Sequence, residues 1–196
     1  RKEGNSSRDP TRNSKYIKWF EEYLETNPDD SRAVFYLARS QRDNLLYGSA
    51  NQNYLRRFDL GGYAQEIFIS LLDLGHMTTN YEALSYYLRA VYQFPERLEG
   101  YYYAGTTLGK LKQHQNAIDI LAKRLKQATF NNSHLFLQSS IYTWMAEFQM
   151  AIEMYYTDDY YKGYQIIKNQ LENNKIDSAY VEHVKRQLVM FEKKII

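Results

Sequence analysis

The 196-residue sequence contains no cysteine, which excludes disulfides, zinc–thiolate centres and a cysteine nucleophile. Only three prolines and nine glycines are present, gathered at apparent turns, so long stretches are free to be helical. No apolar run approaches the ~18 residues that a membrane-spanning helix requires. No charged-then-apolar leader is seen, so no secretion signal is read and a cytoplasmic location is expected. The first residue is Arg1 rather than Met, which suggests a fragment of a longer protein. Signatures of chemistry are missing as well. His76, His114, His134 and His183 lie far apart, without the His-x-x-x-His spacing of a metal site. There is no Gly-x-Ser-x-Gly elbow, no phosphate-binding glycine loop and no Asp-x-Asp pair. Asp29-Asp30 and Asp158-Asp159 read as turn and capping residues. No cofactor and no metal are therefore expected.

What the sequence does have is period. Ala50, Ala83 and Ala117 stand 33 and 34 residues apart, and Pro28, Gly61 and Pro95 each precede one of them by 22 residues. A period near 34, built as helix, turn, helix and breaker, is the signature of tetratricopeptide repeats. The expected fold is all-α, a right-handed α-solenoid of tetratricopeptide-like helix pairs closed by a C-terminal capping helix. A basic linker over 1–13 should precede a helical-repeat domain over 14–196. The first helix starts near Asn13 or Ser14, with Ile17, Phe20 and Leu24 on one face. Helices then follow over about 31–43, 47–59, 64–75, 80–92, 97–110 and 114–127. Ala38 and Gly105 hold the position where a small side chain lets paired helices approach closely, whereas Leu71 departs from that rule. After Ala128 the period lengthens. Phe130–Phe136 reads as an inserted loop, followed by helices over about 138–156, 160–172 and 177–194, with Gly163 in the fourth alanine slot.

Charge is uneven. Residues 1–18 carry six basic groups against Glu3 and Asp9, so the remainder is slightly acidic within a net charge of +2. Such a tail reads first as a solvated linker and only second as a nucleic-acid contact. Tyrosine is abundant, with 20 residues against nine Phe and two Trp. At helical spacing tyrosines fill helix–helix seams, although an exposed ring can also stack on a sugar.

Several segments, in order, resemble the tetratricopeptide-like region that follows the catalytic domain of bacterial and viral family 2 (GT-A type) glycosyltransferases. They are Arg32–Asp43, Gly61–Phe68, Ala83–Ala90, Pro95–Glu99, Leu135–Leu137, Ile141-Tyr142 and Tyr155–Tyr160. Arg8-Asp9-Pro10 resembles the linker leaving the transferase domain. The resemblance implies an origin as a C-terminal accessory region, with a catalytic domain upstream and self-association as further expectations. It does not imply activity in this chain, which lacks the metal-binding Asp-x-Asp and the strand–helix alternation of a nucleotide-binding domain.

In tetratricopeptide repeats the first helix of each pair lines the concave surface. Counting back from the alanine slots places Arg32, Phe35, Arg39 and Arg42, then Gln65, Phe68, Leu72 and His76, then Glu99, Tyr102, Thr106 and Lys110 on that lining. Arginines beside rings can hold a carboxylate or phosphate, with a peptide or sugar stacked on the rings. Equally, the arginines can pair with neighbouring acids while the rings plug the groove. The expected partner is a protein segment or a glycan acceptor in the groove. Two functions follow: a non-catalytic glycosyltransferase accessory module, or a stand-alone peptide-binding adaptor.

Overall fold

The computed structural model describes residues 12–126, 131 and 133–195, the first two by backbone alone. Most of the basic linker, including Arg1, Lys2 and the Arg8-Asp9-Pro10 segment, lies outside the described residues, as do Ala128 and Phe130. All regular structure among the described residues is helical. The chain divides after Thr78 into two compact units, each described by itself.

Unit 1 holds α1 (Arg12–Thr26), α2 (Ser31–Asp43), α3 (Tyr47–Leu60) and α4 (Ala64–Met77), each packed on the next. Ile17 and Leu24 of α1 are buried against Ala33, Val34 and Leu37 of α2. The turn before α2 is fixed by Asp30, whose Oδ1 accepts from the Arg32 and Ala33 amides, both at 3.0 Å. The Ala33 amide is the main reason its carboxyl sits below the usual aspartate value. Gly61 and Gly62, at φ 67° and 91°, make the turn into α4 in a backbone region that L side chains resist. Arg57 holds this turn from inside. Fully buried, it donates to the Gly61 carbonyl, to the Tyr63 carbonyl at 3.2 Å and to Glu66 Oε2 at 3.1 Å.

Unit 2 holds α5 (Asn80–Gln93), α6 (Leu98–Lys110), α7 (His114–Leu125), α8 (Ala146–Tyr155), α9 (Tyr160–Glu172) and α10 (Val181–Ile195). Again each helix packs on its successor, and α6 also meets α8. The small positions explain the close pairing. A Cβ added at Gly105 would lie 2.8 Å from Leu121 Cγ, and one at Gly163 would lie 2.4 Å from Phe191 Cε1. Ala50, Ala83 and Ala117 are all buried, as their period requires. The core between α8, α9 and α10 gathers Trp144, Ala151, Ile167, Val184 and Phe191.

Two expected boundaries differ. The helix expected over 138–156 contains a π-type turn at Ile141–Met145, where the Ala146 amide reaches back to the Ile141 carbonyl, before α8 proper. The last helix begins as a 3₁₀ turn at Ser178–Tyr180, which leaves Tyr180 exposed and tilted against Trp144 at 5.4 Å, outside the buried face formed by Val184 and Phe191. The described part of the inserted loop is anchored by a buried pair at the start of α6. Arg97 and Glu99 are both fully buried and 2.8 Å apart. Arg97 also donates to the Leu135 carbonyl at 3.3 Å, and Glu99 accepts from Tyr142 Oη at 2.7 Å. Burial alone would raise the Glu99 carboxyl, but Arg97 and Tyr142 outweigh it and hold the value low.

Candidate functional site

The expected lining residues of unit 1 separate into core and surface. Phe35 and Phe68 are completely buried, so neither ring presents a face to a ligand, and both are core residues rather than groove contacts. The helical count missed this because α2 buries a broad stripe, from Ala33 through Gln41, not a narrow one. The Arg39 guanidinium lies 5.7 Å above the buried Phe35 ring. Arg42 is committed internally: it meets Asp73 at 2.5 Å and Asp43 at 2.8 Å. Asp73 also accepts from Tyr54 Oη at 2.6 Å and lies 3.7 Å from His76 Nδ1. Burial pushes the Asp73 carboxyl up, yet His76, Arg42 and Tyr54 together bring it below its ordinary value. Burial, with the same carboxylate beside it, pushes the Tyr54 hydroxyl well up. Arg32 is exposed and stands 3.9 Å from Glu66, while Gln65 is half-buried on the same α4 turn. The wall between α2 and α4 is thus a satisfied ion-pair network around Asp73, with Arg32 and His76 at its exposed margin.

In unit 2, Tyr102 and Lys110 part company. Tyr102 is half-buried beside Tyr103, at 5.1 Å edge-to-face, and burial raises its hydroxyl. Lys110 ends α6 at the rim of a cavity of about 670 Å³. Lys112, in the turn to α7, lines the same cavity, with His114 from the start of α7, Gln149 and Glu153 from α8, and Tyr156 just after α8. Glu153 is only 3% exposed. Its Oε2 lies 2.7 Å from His114 Nδ1, and its Oε1 accepts from Gln149 Nε2 at 2.6 Å. A carboxylate can only accept, so Nδ1 carries the proton and Nε2 is left for other partners. The imidazole is also stacked on Tyr156, centroids 4.4 Å apart and planes 13° from parallel. Gly109 makes room for the carboxylate: a Cβ there would fall 2.1 Å from Glu153 Oε1.

Of the residues expected from sequence, the cavity contains Lys110 and Thr106; it adds Glu153, His114, Gln149 and Tyr156, which the count did not reach. The basic run Gly109-Lys-Leu-Lys-Gln-His114 was a visible local signal, but Glu153 lies 39 residues beyond His114, and nothing in the sequence joins them. Chemically the cavity offers two ammonium groups, an oriented imidazole and an aromatic ring, with a buried carboxylate already occupied by its neighbours. No group of three or more metal-ligating side chains occurs among the described residues, and no described helix is long and apolar enough to cross a membrane.

No family model and no curated protein matches the chain. Several solved structures are similar. A crystal structure of MamA superposes with a TM-score of 0.66 at 15% identity, over 88% of this chain and 96% of that one. YrrB, described as a TPR protein with an unusual peptide-binding site, gives 0.62 at 15% identity, over 90% of this chain and 84% of that one. TTC0263, a thermophilic TPR protein in Thermus thermophilus, gives 0.53 at 16% identity, over 92% and 90%. At these identities the likeness concerns fold alone. Nothing in these comparisons links the chain to family 2 glycosyltransferases, so that resemblance stands on sequence segments only. The chain has the all-α fold of tetratricopeptide-like helix pairs.

Proposed function

We propose that the chain is a non-catalytic helical-repeat module that binds a segment of another protein, and that the α6–α8 face of unit 2 is a principal contact. The observation that carries this is the cavity where Lys110 and Lys112 stand beside the exposed Tyr156 ring, because charge next to an aromatic surface is what a peptide side chain engages. The tetratricopeptide fold of YrrB, described as having a peptide-binding site, supports the class of partner. In unit 1 a second contact would be built around Arg32, Arg39 and His76, of which Arg32 stands beside Glu66 and His76 beside Asp73. The narrower reading, an accessory region of a glycosyltransferase, rests on the sequence resemblance.

A displayed random-peptide library panned on the intact chain tests the proposal. Enriched peptides should bind several-fold more weakly to Lys110→Glu, while Arg186→Glu on α10 leaves them unaffected. Panning that enriches nothing over the Lys110→Glu chain would defeat it. Transfer from a nucleotide-sugar by the chain alone would defeat its non-catalytic part.

A further inference from the structure

The α6–α8 cavity has a chemical bias that narrows what it accepts. Its nitrogen groups come from three places: the Lys110 ammonium from the end of α6, the Lys112 ammonium from the turn and the His114 imidazole from the start of α7. None of the cavity's lining residues is an arginine. A planar carboxylate is best matched by the forked guanidinium, whereas separate point charges suit a tetrahedral group with several oxygens. The fixed negative charge does not occupy the opening. Glu153 is buried, and both its oxygens already accept, from His114 and Gln149. Its effect is to hold the imidazole, leaving Nε2 as the nitrogen not engaged by Glu153. Gln113 supplies no side-chain cap to α7, so side-chain capping does not compete with an anion at this end of the helix. Ile152 and the Tyr156 ring give an apolar wall beside the charges.

We infer that this cavity binds a phosphoryl group, with Lys110 and Lys112 as donors, His114 adding an Nε2–H donor only when its ring carries a second proton, and Glu153 as the residue that positions His114. The phosphoryl can come from a phosphorylated serine or threonine of a partner segment or from a free organic phosphate. The first source rests on the interaction reading above; the second does not.

The test uses the intact chain and three probes. Inorganic phosphate is titrated while the amide and imidazole signals of Gly109, Lys112 and His114 are followed by NMR, with acetate as the carboxylate control. Phosphate should shift these signals saturably and acetate should not. The shifts should vanish in Lys110→Ala/Lys112→Ala. Glu153→Gln keeps the size of the side chain but removes the charge that holds His114, and should weaken phosphate by about ten-fold or more. A phosphoserine peptide library is then compared with its unphosphorylated twin. A preference of about ten-fold or more for the phosphorylated form assigns the source to a partner segment. Equal capture of both forms, with the phosphate shifts intact, assigns it to a free organic phosphate. Absent or unsaturable phosphate shifts, or equal shifts with acetate, would overturn the inference. If peptides were still captured in that case, the interaction reading would survive without it.

Discussion

At Gly163 an added Cβ would lie 2.4 Å from the Phe191 ring and 3.0 Å from the Ala151 carbonyl oxygen, and neither the ring nor the backbone can retreat without disturbing the α8–α10 core. Gly163→Ala should therefore cost about 1–3 kcal/mol by overpacking, read as a lower urea midpoint at unchanged slope. Gly105→Leu, which drives a larger side chain into Leu121, should cost at least as much. Gly48 is the control. Nothing lies within 4 Å of its added Cβ, so Gly48→Ala in α3 should leave stability unchanged or raise it by up to about 1 kcal/mol. A second residue-scale expectation concerns acid. The Asp73 carboxyl is held below its reference value of 3.8, so its charged form stabilises the folded state above that pH. This contribution should fade as pH falls below 3.8 through the lower folded value. Thermal melts across that range should show a steeper loss for the parent than for Asp73→Asn, which cannot titrate.

Between elements, the buried Arg97–Glu99 pair is the joint that fastens the loop before α8 onto α6. Removing one partner strands the other. Glu99→Ala should destabilise by about 3–5 kcal/mol, because a fully buried guanidinium is left without its carboxylate. Replacing both by leucine should recover most of that loss, and the double-mutant cycle measures the difference. Hydrogen exchange at residues 135–138 should rise in Glu99→Ala, because the Gln138 amide and the Tyr142 hydroxyl both reach that carboxylate. The elements themselves were largely legible in the sequence. From α2 to α7 their limits follow small residues and turn breakers, which are local signals, to within two residues. The π-type turn at Ile141–Met145 was not legible, since it is a single turn inside a longer helical run and no residue type marks it.

For the whole molecule, the candidate site was half legible. Lys110 was found because it falls on a predicted helix face, and Glu153 was missed because its partner is distant in sequence and buried acids resemble surface acids in a one-dimensional pattern. Phe35 and Phe68 were misplaced for the complementary reason, that an apolar residue fits a core and a groove equally well. If exposed lysines carry recognition, capture of any partner should weaken as salt rises, with the greatest loss once the screening length drops below roughly 10 Å. A titration at several ionic strengths checks this, and flat affinity would point instead to the aromatic wall. The anchored stretch 135–138 also has an engineering consequence. Gln138 meets Tyr103 and Glu99, and Leu135 meets Arg97, but Asn131 bonds only within its own turn among the hydrogen bonds of the described residues. A change of side chain at Asn131 should be carried as a harmless passenger, whereas a graft at Gln138 would tear out its moorings.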